Sequence, residues 1–173
     1  MSKALIVIDM QNDFVTGALG TKEAQEMLPR LVKKLEVAAT ENGTDIIFTQ
    51  DTHKENYSDT QEGKNLPVVH CIKNTAGWEI VPELQKFIPR AKAVIEKKAF
   101  GSTRLPSLIK PYEVVEFVGV CTDICVVSNA LLVKAFYPEQ TVAVDASCCA
   151  GTTPEMHRKA LDVMKMCQCK IEG

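Results

Sequence analysis

Five short, almost uninterrupted apolar runs limit what this chain can become: residues 4–8 (ALIVI), 45–49 (DIIFT), 93–96 (AVIE), 114–120 (VVEFVGV) and 141–144 (TVAV). Branched apolar residues without polar alternation suit strands buried on both faces, the situation of a parallel sheet covered by helices on each side. The stretches between them carry helical spacing. Residues 24–42 place Met27, Leu28, Leu31, Leu35 and Ala38 three to four apart, with Gly43 positioned to end the helix. Residues 79–87, 105–109, 123–136 and 154–166 are the other helical segments, and Thr153-Pro154-Glu155 supplies a cap, a first-turn proline and an acidic residue near the positive end of the helix dipole. The alternation predicts a three-layer, doubly wound α/β fold with a mainly parallel sheet. Ligands of such sheets bind beyond the carboxyl ends of the strands.

The length of 173 residues fits one domain spanning 1–173. Twenty basic residues against 22 acidic ones give a formal charge of −2, which argues against nucleic acid or an acidic membrane surface as a partner. No apolar run approaches the ~18 to 20 residues of a membrane span. The run at 4–8 is too short for a signal peptide, so a cytoplasmic address is expected. Seven cysteines, an odd number, read as reduced thiols rather than as a disulfide framework, and no recurring CxxC pattern points to a cysteine metal site.

Chemistry is therefore sought at strand ends. The first run delivers Asp9, a carboxylate at the ligand edge that alone reads equally as a cap or turn former. The third leads into Glu96-Lys97-Lys98-Ala99-Phe100, where a lysine could hold positive charge over the site, although a lysine pair is ordinarily a solvated turn. The fourth passes through Cys121-Thr122-Asp123-Ile124-Cys125. There Thr122 or Asp123 would cap a helix and leave Cys125 in its first turn, where free N–H groups and the dipole favour a thiolate. The same turn offers backbone donors for an oxyanion, while the plainer alternative is a buried structural cysteine.

The long irregular stretch at 50–77 holds Asp51, His53 and His70, one carboxylate and two imidazoles suited to Zn, Fe or Mn, with Glu62 between them as a further oxygen ligand. His157 reads as a surface residue and Trp78 as the start of a helix. Cys148, Cys149, Cys167 and Cys169 need no chemistry to explain them.

These pieces coincide with a known pattern. The sequence resembles the isochorismatase-like cysteine hydrolases, and among them the nicotinamidases (pyrazinamidases), through ALIVIDMQNDF (4–14), FTQDTH (48–53), LPVVHC (66–71), VIEKKAFGS (94–102), FVGVCTDICV (117–126) and VAVDASCCAG (142–151). The resemblance implies a Rossmann-like fold and a catalytic triad of Asp9, Lys97 and Cys125. Lys97 is preferred to Lys98 because Phe100 follows it by three positions, as the family's aromatic does. It also implies an oxyanion hole from the N–H groups of Cys121 and Cys125, with a cis peptide between Val120 and Cys121. One divalent transition metal (Zn, Fe or Mn) would be held by Asp51, His53, Glu62 and His70, and would anchor the ring nitrogen of the substrate.

The chain departs from the pattern in lacking a histidine near Asn56 to Asp59, which is why Glu62 enters the ligand set. Phe14 matches one wall of the substrate site, whereas Leu66 stands where an aromatic is expected on the other. The implied substrate is a small-molecule amide, nicotinamide first, with another amide or ureide as the alternative. The fold admits a homo-oligomer. A thiol redox or binding module using Cys121 and Cys125 is the reading from a different class, and it would be indifferent to Lys97. No Gly-rich phosphate loop follows the first run.

Overall fold

In the computed structural model, which describes residues 2–173, alternate residues of β1 (Lys3–Ile8) enter two separate cores. Leu5 and Val7 join α2 (Lys22–Ala38) on one face, while Ala4, Ile6 and Ile8 join α6 (Val127–Phe136) and α7 (Pro154–Met166) on the other. All five are fully buried, so the uninterrupted apolar run is a consequence of cover on both sides.

β1 is flanked by β2 (Thr44–Asp51) and β4 (Val114–Val120). β3 (Ala93–Lys97) lies outside β2, and β5 (Thr141–Ala150) and β6 (Lys170–Glu172) lie outside β4, giving the order β3-β2-β1-β4-β5-β6. Every neighbouring pair is parallel. Strand order reverses between β1 and β4, the place where doubly wound sheets open a crevice for ligands. Gly119 near the end of β4 has φ 110°, and a Cβ there would fall 2.2 Å from the carbonyl oxygen of Ile8. Only glycine permits that approach of β4 to β1 beside the crevice. Shorter helices fill the edges: α1 (Asn12–Val15), α3 (Gln61–Asn65), α4 (Pro82–Gln85) and α5 (Leu105–Ile109).

Several boundaries differ from the sequence expectation, each for a tertiary reason. β2 runs on to Asp51, and β5 to Ala150, so Cys148 and Cys149 lie within a strand with one in each core. β6 is too short and too polar to signal itself. The segment expected as a helix at 79–87 is helical only at Pro82–Gln85, and Trp78 sits in a turn, its indole N–H donating to Thr52 Oγ1 at 2.9 Å. Thr153 caps α7 as anticipated, accepting from the Met156 N–H at 3.1 Å. Among the described residues no helix is long and apolar enough to cross a membrane.

Candidate functional site

Three strand ends bring the expected triad together. Asp9 follows β1 in a left-handed backbone conformation, φ 47°, which aspartate tolerates better than most residues. Its N–H and Oδ1 are both held by Thr49 of β2, whose hydroxyl donates to Oδ1 at 2.7 Å. Lys97 ends β3, and its ammonium lies 2.6 Å from Asp9 Oδ2, 3.1 Å from Asp51 Oδ1 and 3.4 Å from Cys125 Sγ. The Ala99 carbonyl accepts from it at 3.1 Å. The lysine is buried, so the solvated-turn reading fails for Lys97, while Lys98 is exposed.

Cys125 sits in a single wide turn, Thr122–Val126, in which the Val126 N–H donates to the Cys121 carbonyl five residues back at 3.1 Å. Such π-turns are uncommon and recur at functional sites. The peptide bond between Val120 and Cys121 is cis, as the resemblance implies. Neither Thr122 nor Asp123 caps the turn. Asp123 instead accepts from Thr152 N–H at 2.8 Å and Thr152 Oγ1 at 2.6 Å, and Thr122 Oγ1 lies 2.8 Å from His157 Nδ1. His157 is thus half-buried and engaged, not a free surface residue.

Electrostatics alter one expectation. Burial pushes the Cys125 thiol well above its ordinary value and Asp9 adds to the rise, with Lys97 opposing both. Burial therefore opposes the thiolate that a helix start alone would favour. Burial likewise raises the Asp9 carboxyl against the pull of Lys97, which makes Asp9 a better proton acceptor than a solvated aspartate.

The metal candidates form a second cluster against the same cavity. One ligand atom from each of Asp51, His53, Glu62 and His70 lies within 4.8 Å of the others. His53 Nε2 is 2.9 Å from Asp51 Oδ2, and His70 Nε2 is 3.6 Å from the same oxygen and 3.7 Å from Glu62 Oε1. The His70 Nδ1 faces the Val68 carbonyl at 2.7 Å, so a proton held there leaves the Nε2 lone pair aimed into the cluster, as in metal-binding histidines. Burial would raise Asp51, yet the close contact with His53, the nearby His70 and the charge of Lys97 prevail and hold it well below the usual carboxylate range. Glu62 goes the other way, raised by burial and by the neighbouring Asp51. Two imidazole nitrogens and two carboxylate oxygens, converging and partly desolvated, fit a divalent transition metal.

A cavity of about 420 Å³ joins the two clusters, bordered by Cys125 and Cys121 on one side, Asp51, His70 and Glu62 on another, and Phe14 and Leu66 as apolar walls. Phe14 meets the edge of His70 with ring centroids 5.5 Å apart, and Leu66 is more than a third exposed, leaving its wall open.

Four supporting residues carry no clear signal in the sequence or only a weak one. Tyr57 is buried, stacks edge-on against His53 at 4.7 Å and His70 at 5.0 Å, and donates its hydroxyl to the Leu66 carbonyl at 2.9 Å. A lone aromatic in a polar loop between two histidines was the available signal. Gln11 clasps the Asp51 peptide from both sides, at 2.8 and 2.9 Å. Asn129 donates to the Cys125 carbonyl at 2.7 Å and the Phe100 carbonyl at 3.1 Å, and accepts from the Ser102 N–H at 2.9 Å. Thr49, described above, is the fourth. The last three are polar side chains at positions whose sequence context shows nothing unusual.

The isochorismatase domain family matches residues 3–171. The chain belongs to the isochorismatase family. Within it, a relative from Arabidopsis thaliana described as a probable inactive nicotinamidase is 32% identical over 180 residues, covering 94% of this chain and 87% of the relative. The crystal structure of a nicotinamidase/pyrazinamidase from Bacillus subtilis superposes with a TM-score of 0.85 at 27% identity over the whole of both chains. That of a pyrazinamidase from Pyrococcus horikoshii in complex with zinc gives 0.84 at 30% identity, covering 99% of this chain and 98% of that one.

Proposed function

We propose that this isochorismatase-family chain is a cysteine amidase that hydrolyses a small amide, nicotinamide first, to the acid and ammonia. The observation that carries the reading is the position of Lys97 Nζ, 2.6 Å from Asp9 Oδ2 and 3.4 Å from Cys125 Sγ, with Cys125 lining the cavity. An ammonium between a raised carboxylate and a raised thiol provides for moving one proton without stranding a charge in a buried site.

In the first half-reaction Asp9 takes the thiol proton as Cys125 Sγ bonds to the amide carbon. The resulting oxyanion is received by the backbone N–H groups of Cys121 and Cys125, a kind of contact typically worth ~3 to 4 kcal/mol of barrier for each donor. Asp9 then returns its proton to the nitrogen, the C–N bond breaks, and ammonia leaves a thioester. In the second half-reaction Asp9 takes a proton from water as the water oxygen adds to the thioester carbon. Collapse of that intermediate breaks the C–S bond, and the proton returns to sulfur. Lys97 stays cationic throughout, fixing Asp9 and offsetting the charge on sulfur. Asp51, His53, Glu62 and His70 would hold one divalent metal, which when bound supplies a Lewis acid for a ring nitrogen or a water. Phe14 and Leu66 would pack on the two faces of the substrate. Hydrolysis of isochorismate itself cleaves a vinyl ether and needs no thiol, so Cys125 speaks for an amide.

A second reading, a different small amide or ureide, is favoured by Leu66, whose aliphatic wall selects flat rings less strongly than an aromatic. Ammonia release from nicotinamide by purified protein, beside Cys125→Ala and a chelator-treated sample, tests the proposal. Release lost in both controls supports it; no release by metal-loaded protein moves the substrate to the second reading.

A further inference from the structure

Amide hydrolysis as drawn above makes no use of an engaged pair near the nucleophile, Thr122 and His157. Thr122 opens the turn that carries Cys125 and is fully buried, so its hydroxyl must find a partner inside the protein. That partner comes from a distant element, the first turn of α7, where His157 Nδ1 lies 2.8 Å away. The backbone N–H of His157 is already committed to the Thr153 carbonyl at 2.9 Å, which fixes the helix from which the ring projects.

The approach of α7 to the nucleophile turn depends on Gly151, the residue after β5. A Cβ there would lie 2.8 Å from His157 N and 2.9 Å from Asp123 Oδ1. Beside this contact, Asp123 binds Thr152 through both carboxylate oxygens. Consecutive residues of the turn, Thr122 and Asp123, are thereby pinned to consecutive parts of the β5–α7 junction. Burial lowers the protonation of His157, assisted by Arg158 and opposed by Asp123, which favours the neutral ring, and its Nδ1 pairs with the Thr122 hydroxyl as acceptor in one tautomer and as donor in the other.

We infer that His157 is a positioning residue: through its hydrogen bond with the Thr122 hydroxyl it fixes the wide turn that holds Cys125 Sγ beside Lys97. This role rests on the amidase reading only for what the cysteine attacks, because the geometry it sets belongs to the thiol itself. A misplacement of about 1 Å at a reacting atom can cost on the order of a hundredfold in rate.

The test is a double-mutant cycle on His157→Leu and Thr122→Val, with His157→Gln as the conservative variant whose amide can still accept or donate. Two rates are read in folded protein of known melting temperature. One is alkylation of Cys125 by iodoacetamide, followed on its own peptide so that Cys121 and Cys167 do not contribute. The other is amide turnover resolved into kcat and KM. The expected result is an alkylation rate lowered about tenfold or more by either apolar variant, no further loss in the double variant, and recovery of most of the rate by His157→Gln. Loss of turnover should fall in kcat with KM held. Additive losses, or an unchanged alkylation rate in either apolar variant, would overturn the inference. If His157→Leu does not fold, Thr122→Val against His157→Gln decides it: a wild-type alkylation rate in Thr122→Val overturns it, and a loss confined to Thr122→Val supports it. Failure of nicotinamide as a substrate leaves the alkylation arm intact, so the two readings fail separately.

Discussion

Lys97 Nζ lies 3.1 Å from Asp51 Oδ1, while Asp51 Oδ2 lies 2.9 Å from His53 Nε2. One carboxylate therefore joins the lysine of the candidate triad to the candidate metal cluster. The two centres share a charge, so a change at one is felt at the other. Asp51 can serve both because β2 delivers it between β1 and β3, with its peptide clasped by Gln11.

Replacing Lys97 tests the centre of this arrangement. Lys97→Met leaves Asp9 buried without its cation, and breaking a buried ion pair on one side typically costs about 3–5 kcal/mol. Ammonia release should fall by about a thousandfold or more, and the melting temperature should drop. A variant with wild-type ammonia release would instead remove Lys97 from the proposed triad.

The pH profile follows from Asp9. In the proposed mechanism its ionised form accepts the proton, so activity is expected to fall as pH falls through its pKa, and burial places that fall above the ordinary aspartate value of about 3.9. Despite its burial, Lys97 is raised above its usual range, because Asp9, Cys125 and Asp51 surround it, and its deprotonation should not contribute a limb below about pH 10. Measuring kcat/KM from about pH 3 to about pH 10 checks both expectations; an acid limb at or below about 4 would remove Asp9 from the role of buried base.

Metal removal should act on stability as well as on rate. A ligand that binds only the folded state stabilises it by about 2.7 kcal/mol at a hundred times its Kd. Adding Zn, Mn or Fe to chelator-treated protein is expected to raise the melting temperature and restore turnover, and His70→Ala should abolish both responses. Elemental analysis finding no bound metal, together with a melting temperature indifferent to all three ions, would rule out the centre.

Asn129 ties together the Cys125 and Phe100 carbonyls and the Ser102 N–H. Asn129→Ala leaves these buried groups short of partners, at about 1–3 kcal/mol for each that stays unpaired. A loss of about 2–4 kcal/mol in chemical denaturation is expected, with turnover reduced about tenfold through displacement of the nucleophile turn. A change within about 0.5 kcal/mol would show that Asn129 is not needed to hold the turn.

Sequence by itself determined the layered fold and most of the candidate reacting groups. Apolar runs such as residues 4–8 can be satisfied only between two helix layers, and a parallel sheet brings the ends of its strands to one edge, so Asp9, Lys97 and Cys125 had to share it. The choice of Lys97 over Lys98 already needed the family pattern, because adjacent lysines carry the same local signal. Tertiary structure alone decided what holds those groups: Gln11 reaching 40 residues to Asp51, Asn129 reaching 27 residues to Ser102, and His157 reaching 35 residues to Thr122. It also decided that Cys125 lies buried beside Asp9, where desolvation and that neighbouring carboxylate push its thiol upward against the pull of Lys97. Hydrophobic periodicity is a local property that survives in the sequence. Hydrogen-bond partnership and desolvation depend on which distant side chains arrive, and that is settled only when the strands have taken their order.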